Sequence, residues 1–287
     1  MTLFITTQTN DTHNLIDAWD SVNTRPADRF MFHYEGVPAN GQIIDAAKKT
    51  EPEVIFYVGG CDGVGLPSVE TFRALRRIAP LINLIPDAAD PPWHDMISKY
   101  RSEECFDLYV GLDGCPGSPV DHVTITPVNF RPFDIAVEKD IRCGFSGGLG
   151  GKRDTLLKVL DSRCSVRVRD ALSADYTAHV HFLKRCRIIF NTAWTGSGQF
   201  YHVKGRVLEA GFANAALLEQ AHSPTDHWFP SDAYFRYSDG EEALDVIMNA
   251  TDDDIAERAA LLSRIVREKY HPMIIYKSIL DKLNHSL

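Results

Sequence analysis

The stretch that decides the fold runs from Val54 to Ile85 and reads VIFYVGGCDGVGLPSVETFRALRRIAPLINLI. It begins and ends with short, mainly apolar runs, Val54 to Val58 and Leu81 to Ile85, which predict buried strands. Between them, Ser68 to Ile78 predicts a helix, because apolar residues recur about every three positions after a capping serine and Pro80 ends the run. The order strand, helix, strand predicts parallel strands joined by right-handed crossovers.

The same alternation continues on both sides of this unit. Other apolar runs predict strands in the first half at Leu3 to Thr6, Phe30 to Tyr34 and Leu108 to Val110. After a proline-rich stretch, Thr126 to Phe133, the alternation restarts. The second half has predicted strands at Ile141 to Phe145, Ser165 to Val168 and Arg187 to Asn191, and predicted helices at Arg153 to Leu160, Ser238 to Asn249 and Thr251 to Tyr270.

These patterns predict an α/β protein with two domains, each built on a parallel sheet, and a boundary near residues 128–138. We expect the first domain to comprise residues 1–133 and the second residues 134–287, with the last helix as a candidate to pack back on the first domain. Two helices of the second domain begin with the spacing of a capping box, Ser238 with Glu241 and Thr251 with Asp254.

The composition limits the classes of function. The 287 residues include 30 basic and 39 acidic side chains, for a net charge of −9, and no basic stripe, which argues against binding to nucleic acid. There is no run of 18 apolar residues and no basic segment followed by an apolar one at the amino terminus, so we expect a cytoplasmic protein without a transmembrane segment. The six cysteines are scattered singly, which predicts reduced thiols rather than disulfides or a metal site.

A glycine-rich segment in the second half is a candidate phosphate-binding loop. Gly144 to Arg153 reads GFSGGLGGKR and lies between a predicted strand and a predicted helix. Its five glycines, Gly148 among them, let backbone amides point inward as an anion nest, and Lys152 and Arg153 add positive charge. Ser146 and Arg153 break the Walker pattern, and Arg153 also replaces the last glycine of the dinucleotide fingerprint. The alternative is a tight turn that binds no ligand.

A second candidate loop, residues 192–201 (TAWTGSGQFY), leads into the stretch HVKGRVLEAGFANAALLE at residues 202–219. We interpret this stretch as one helix, buried after its first turns. The hydroxyls, amides and cations that could contact a ligand here belong to Ser197, Gly198, His202, Lys204 and Arg206. Glu209 lies among small and apolar residues, so its carboxylate needs a buried partner, either ribose hydroxyls or the neighbouring cations. The alternative for Lys204 and Arg206 is solvated surface charge.

Residues 204–219 (KGRVLEAGFANAALLE), with the Gly/Ser loop before them and the acidic-aromatic region after them, resemble the carboxyl-terminal domain of CgeB-like glycosyltransferases. The resemblance implies the GT-B fold, in which two Rossmann-like domains face each other across a cleft. The resemblance covers about residues 140–270 and extends to the first half only in layout. It implies that Glu209 binds the ribose of a nucleotide-sugar donor and that Lys152 or Arg153, helped by Lys204 and Arg206, holds the diphosphate. Retaining members of the wider group carry an acidic residue eight positions before this glutamate, where Tyr201 stands here, so the stereochemistry stays open.

The acceptor side is expected in the first domain, after the predicted strand that ends at Ile85. The segment NLIPDAADPPWHD places Asp87 first after this strand, and an inverting transferase needs a base near the acceptor hydroxyl. Asp87 is our leading candidate for that base. Acidic or imidazole side chains at comparable positions are alternatives: His13, Asp62, Asp90 and His94, with Asp95 nearby. The same aspartates could equally serve as turn and capping residues.

We therefore predict a hexosyltransferase-like enzyme that moves a sugar from a nucleotide-diphosphate-sugar donor to an acceptor. The acceptor class stays open among glycans, small molecules and proteins. We expect no metal and no cofactor beyond the donor, because cations and helix termini can offset the charge of the leaving diphosphate. Two alternatives stay open: a nucleotide-sugar epimerase of the same fold, and a non-catalytic nucleotide- or sugar-binding scaffold.

Overall fold

The structure is a computed structural model that describes residues 1–7, 10–149, 151–164, 166–170, 176–195 and 197–285. The chain divides into two compact units, one formed by Met1–Asn129 with Pro272–Leu287 and the other by Phe130–His271. Each unit contains one parallel sheet whose strands alternate with helices. The predicted α/β class is confirmed.

The first unit contains a six-stranded sheet. Its strands are β1 (Thr2–Thr7), β2 (Asp28–Phe32), β3 (Val54–Val58), β4 (Leu81–Ile85), β5 (Leu108–Gly111) and β6 (His122–Val123), in the order β2-β1-β3-β4-β5-β6. Its helices are α1 (Asn10–Val22), α2 (Asn40–Thr50), α3 (Val69–Arg76), α4 (Pro91–Ser102) and α10 (Pro272–Asn284). Strands β3 and β4 are buried along their whole length, as their mainly apolar sequences predict.

Aromatic side chains form much of the core of this unit. The Phe72 ring on α3 lies 4.9 Å from the Tyr57 ring on β3 and 4.7 Å from the Phe106 ring that precedes β5. Helix α10 joins the same unit through Tyr276, whose ring lies 5.0 Å from that of Trp19 and whose hydroxyl donates to the Leu15 carbonyl at 2.6 Å. These contacts connect the carboxyl-terminal helix to the first helix of the chain.

The second unit contains a five-stranded sheet. Its strands are β7 (Ile141–Gly147), β8 (Arg167–Asp170), β9 (Cys186–Phe190), β10 (Ala216–Gln220) and β11 (Phe235–Tyr237), in the order β11-β10-β9-β7-β8. Its helices are α5 (Gly151–Cys164), α6 (Tyr176–Arg185), α7 (Gly205–Phe212), α8 (Gly240–Asn249) and α9 (Asp252–Lys269). In each sheet the first and third strands of the unit are neighbours, which creates a topological switch point between β1 and β3 and another between β7 and β9.

Our interpretation of residues 202–219 as one helix is wrong. Helix α7 ends at Phe212, and Asn214 takes a left-handed conformation with φ of 49° before the fully buried strand β10 begins at Ala216. Asparagine tolerates this conformation better than most residues, and it commonly ends helices. A short apolar run that is buried on both sides has the same sequence pattern in a strand as in a core helix, so periodicity did not separate the two.

One of the two predicted helix caps is confirmed and the other is shifted. Thr251 accepts from the backbone of Asp254, whose side chain accepts from the Thr251 backbone, as the capping box at α9 predicts. Helix α8 begins one residue later than predicted, because the Asp239 carboxylate, rather than Ser238, accepts from the backbone amides of Glu241 and Glu242 at 2.9 and 3.0 Å. A carboxylate at this position also complements the positive end of the helix.

Gly211 allows α7 to lie close to α9. A Cβ atom added at Gly211 would be 2.5 Å from Cγ2 of Val266. We expect Gly211→Ala to lower the free energy of unfolding by roughly 1–3 kcal/mol through overpacking, measured by urea denaturation. Gly41→Ala in α2 is the matched control, because an added Cβ there meets nothing within 4 Å; it should stabilise the protein slightly. Adding Val266→Ala should make Gly211→Ala less costly, and a strictly additive double variant would contradict the contact.

Candidate functional site

Buried polar side chains gather at the carboxyl ends of the central strands of the second unit. Ser146 and Gly147 end β7, Asn191 and Thr192 follow β9, and Glu219 lies near the end of β10. The side chains of Ser146, Asn191, Thr192 and Glu219 are fully buried. Parallel sheets bind ligands at this edge and at the switch point, which here is formed by β7 and β9.

A chain of hydrogen bonds fixes Arg206 at this edge. Glu219 Oε2 accepts from Asn191 Nδ2 at 2.7 Å, and Asn191 Oδ1 accepts from Arg206 Nη1 at 2.6 Å. The guanidinium also lies 4.8 Å from the centre of the Phe145 ring. A Cβ atom at Gly147 would come within 2.4 Å of Arg206 Nη2, so the glycine leaves the room that Arg206 occupies. Arg206 is thus a cation with a fixed orientation in the first turn of α7.

Glu219 is the negative end of this chain. Burial raises the pKa of the Glu219 carboxyl to about 7, although hydrogen bonds from Asn191 and Ser223 and the charge of Arg206 oppose the increase. The carboxyl group therefore changes its charge near neutral pH.

Glu209 is buried and is held by a histidine. Its Oε1 atom lies 3.0 Å from Nε2 of His179 on α6, and Nδ1 of His179 lies 2.8 Å from the Ser146 hydroxyl oxygen. Burial by itself raises the pKa of Glu209, but the attraction and the hydrogen bond of His179 and the charge of Arg206 outweigh burial and hold the pKa below its ordinary value. Glu209 is therefore an ionised carboxylate inside the fold. The hydrogen-bond partner of Glu209 is His179, which is neither of the partners expected from the sequence, ribose hydroxyls or the neighbouring cations.

The two cations of the glycine-rich segment have different environments. Arg153 is half-buried; its Nε donates to the Thr192 hydroxyl at 2.7 Å and its Nη1 to the Gly148 carbonyl at 2.7 Å. Lys152 is exposed, and its Nζ lies 5.8 Å from the centre of the Trp194 ring. Arg153 thus connects the start of α5 to the end of β9, while Lys152 presents its charge to solvent beside an aromatic ring.

The prediction of a five-glycine loop was too broad. Gly144 and Gly147 belong to strand β7, which extends two residues further than predicted. At Gly144 an added Cβ would be 2.4 Å from Cys186 Sγ, so close packing explains this glycine without a ligand. Gly148 follows the strand, and Gly150 lies outside the described residues.

Residues 192–195 and 197–201 pair with each other as a small hairpin. Trp194 pairs with Tyr201, and the Thr195 amide donates to the Phe200 carbonyl at 2.9 Å. Ser197 and Gly198 lie in its turn, where Gly198 has a φ of 69° that favours glycine, so the turn alone explains that glycine. The Tyr201 ring stacks on the His222 ring at 5.3 Å.

The two remaining candidates lie just before α7. His202 is buried, and its backbone amide donates to the Ala193 carbonyl at 2.8 Å. Lys204 is the half-buried N-cap residue of α7 and is one turn from Glu209 and next but one to Arg206 along the chain. The segment thus directs positively charged side chains to the same helix start as Glu209.

In the first unit, Asp87 lies directly after β4 and is half-buried. Asp113, which was not predicted from the sequence, is fully buried after β5 and lies near Asp87. Asp113 Oδ2 accepts from the Ala89 amide at 2.7 Å and Oδ1 from the Cys115 amide at 3.2 Å. Burial raises the pKa of Asp113 to about 6, and the nearby charge of Asp87 adds to the increase. The signal that could have indicated Asp113 is a D-G pair directly after a predicted strand.

The other candidate acceptor-side residues are dispersed. Asp90 is buried as the N-cap residue of α4, and within the described part of the chain His94 Nε2 is buried without a hydrogen-bond partner. Asp62 and Asp95 are exposed and line one pocket of about 480 Å³, together with Lys99 and apolar residues of α3 and α4. His13 belongs to α1, but its side chain lies outside the described part of the structure.

Across the described ranges, no three His, Cys, Asp or Glu side chains come together as the ligands of a metal ion would. In the same ranges, no helix has both the length and the apolar sequence needed to cross a bilayer.

Comparison with known proteins identifies the fold. No protein-family model and no curated protein matches this chain. HepE of Anabaena, solved in complex with UDP and glucose, matches it with a TM-score of 0.67 at 10% identity over 99% of this chain and 100% of HepE. A glycosyltransferase from Rickettsia africae matches with a TM-score of 0.63 at 8% identity over 99% of this chain and 98% of its own. OtsA, solved without ligand, matches with a TM-score of 0.61 at 8% identity over 98% of this chain and 99% of OtsA.

These matches span the whole chain and, with the two parallel sheets, define its class of architecture: the chain has the GT-B fold. The predicted GT-B fold class is confirmed.

Proposed function

We propose that this protein is a glycosyltransferase that takes a sugar from a nucleoside-diphosphate sugar bound by the unit of residues 130–271. The observation that carries the proposal is the pair of fixed charges at the β7/β9 switch point. Glu209 is an ionised, buried carboxylate, and Arg206 is a cation oriented by Asn191. A ribose diol needs a hydrogen-bond acceptor and a diphosphate needs a cation, so one donor molecule would use both groups.

The other residues divide between contact and support in this proposal. Lys152 and Lys204 would add charge at the diphosphate, and Gly148 would let the phosphates approach the start of α5. Arg153 would mainly hold the loop in place, because its guanidinium already donates to Gly148 and Thr192. Ser197, Gly198 and His202 would border the donor from the hairpin. The structures of HepE with UDP and with UDP-glucose support a nucleotide sugar as the donor.

The chemistry assigned to the first unit is proton removal from the acceptor. Asp87 would accept the proton of the attacking hydroxyl while the sugar–phosphate bond breaks, and the cations of the second unit would stabilise the leaving diphosphate. We propose that these cations suffice without a metal ion. The sequence of residues 204–219 supports a relationship to the CgeB-like transferases, and the scattered cysteines support a cytoplasmic location.

A nucleotide panel followed by a transfer assay tests the proposed function. One of UDP, GDP, ADP and dTDP should raise the melting temperature, since a ligand at 100 times its Kd stabilises a fold by about 2.7 kcal/mol. The matching labelled nucleotide sugar should then lose its sugar to water or to an acceptor. An isomerised donor would identify an epimerase, and binding without turnover would identify a scaffold. Stabilisation by none of the four diphosphates would contradict the donor site.

A further inference from the structure

We infer that His179, held by Ser146, is a positioning residue that aims the Glu209 carboxylate at the ribose of the donor. The inference rests on the proposed function. The three side chains come from three elements of the second unit, Ser146 from β7, His179 from α6 and Glu209 from α7. The two hydrogen bonds, of 2.8 and 3.0 Å, occupy both ring nitrogens of the imidazole.

The ionised carboxylate sets the direction of the hydrogen bond between Glu209 and His179. An ionised carboxylate can only accept, so Nε2 of His179 carries a proton and donates to Oε1 of Glu209. Nδ1 on the other side of the ring forms the second hydrogen bond, with the Ser146 hydroxyl at 2.8 Å. Ser146 lies in a strand and is fully buried, so its hydroxyl holds the ring in this orientation.

The arrangement leaves one carboxylate oxygen for a ligand. Oε1 of Glu209 faces His179, whereas within the described ranges no hydrogen-bond partner is shown for Oε2. A carboxylate that rotates about its last bond would present either oxygen, but the bond from His179 fixes the rotation. Oε2 is therefore the atom that would accept from the ribose hydroxyls, and its direction depends on His179.

The same three residue types form the nucleophilic triads of hydrolases, and burial excludes that function here. The Ser146 side chain is completely buried within β7, so no substrate carbonyl can reach its hydroxyl. The two hydrogen bonds lead instead from Ser146 through His179 to Glu209, which is 8% exposed. Ser146 and His179 thus act on the carboxylate rather than on a substrate.

The test compares two nucleotides in four variants. We expect His179→Leu to weaken binding of the ribonucleoside diphosphate that stabilises the wild-type protein by roughly tenfold. A loss of this size corresponds to one misdirected hydrogen bond to a charged group. The 2′,3′-dideoxy analogue should change much less. His179→Gln keeps an N–H donor and should recover part of the loss. Ser146→Ala should lose less affinity than His179→Leu, and its loss should again be larger for the ribonucleotide than for the dideoxy analogue.

The fourth variant is His179→Leu combined with Glu209→Ala. If His179 acts through Glu209, the double variant should bind the ribonucleotide no more weakly than Glu209→Ala alone. Equal losses for ribo- and dideoxynucleotide, or a loss that glutamine fails to recover, would show a merely structural role and overturn the inference. That outcome leaves the proposed function standing, because wild-type binding and turnover test it separately. If His179→Leu does not fold, the same comparison of ribonucleotide and dideoxynucleotide affinities in Ser146→Ala and His179→Gln decides the question.

Discussion

Asp87→Asn should lower kcat by roughly 10²–10⁴-fold and leave the Kd of the nucleoside diphosphate near its wild-type value. Asparagine has almost the shape of aspartate but cannot take up a proton at neutral pH, and general bases contribute a factor of this size. Asp87 belongs to the first unit, whereas the proposed donor residues belong to the second. The measurement is single-turnover transfer at saturating donor, with donor affinity determined in parallel.

Matched variants separate Asp87 from its alternatives. Asp62→Asn and His94→Gln remove the other candidate groups, and each should retain most of the turnover. Asp113→Asn tests the loop that carries Asp87, because Asp113 accepts from the Ala89 amide; it should reduce stability as well as rate. A full rate in Asp87→Asn, or a Kd that rises as much as kcat falls, would remove Asp87 from the role of base.

Glu209→Ala should weaken a ribonucleoside diphosphate by roughly tenfold to a hundredfold, since hydrogen bonds to a charged group contribute about 1.5–3 kcal/mol. The 2′,3′-dideoxy analogue should already bind poorly to the wild-type protein and lose little more in the variant. The measurement is titration calorimetry with both nucleotides.

The competing account is that Glu209 serves only to pair with His179 inside the fold. Under that account the variant would melt at a lower temperature without ligand, and the preference for ribose over dideoxyribose would stay unchanged. Glu209→Gln is the conservative control, because its amide can still accept one hydrogen bond but lacks the charge. Its affinity should lie between those of wild type and Glu209→Ala.

Local signals predicted much of the fold. Short, mainly apolar runs predicted the bounds of β3 and β4 without error, and the pair Thr251 and Asp254 predicted the start of α9. These features depend on residues adjacent in sequence, so propensity and capping chemistry determine them. Residues 213–219 were misassigned because a buried strand and a buried helix have the same composition, and a single asparagine marks the change between them.

The candidate site was predictable only in part. The burial of Glu209 followed from the apolar residues around it, and its proposed role came from a resemblance. Its partner His179 lies 30 residues away along the chain, and Glu219 lies 28 residues from Asn191. Such pairs form when separate strand ends meet at one edge of the sheet, which no spacing in the sequence records. The charges of the site were therefore visible in the sequence, but the groups that orient them were not.

The buried carboxyl of Glu219 also makes the stability of the second unit depend on pH. Its pKa rises from 4.5 in the unfolded chain to about 7 in the folded one. The folded state therefore binds this proton more tightly than the unfolded state does. The contribution of Glu219 to the free energy of unfolding is complete below pH 4.5 and is lost as the pH rises through 7. The total loss is about 3 kcal/mol, of which about 2 kcal/mol falls between pH 5.5 and pH 8. In urea unfolding, Glu219→Gln should lack this fall of about 2 kcal/mol in the free energy of unfolding between pH 5.5 and pH 8. An equal fall in the wild-type protein and the variant would contradict the raised pKa of Glu219.

The first unit contains a similar group in Asp113, whose pKa of about 6 has the same sign of effect at lower pH. Mild acid therefore favours the folded form of both units through these two groups. The negative charge of Glu219 near Arg206, however, develops only as the pH rises through neutrality. The pH range in which these two groups stabilise the fold is consequently the range in which the electrostatic support of the fixed arginine is weakest.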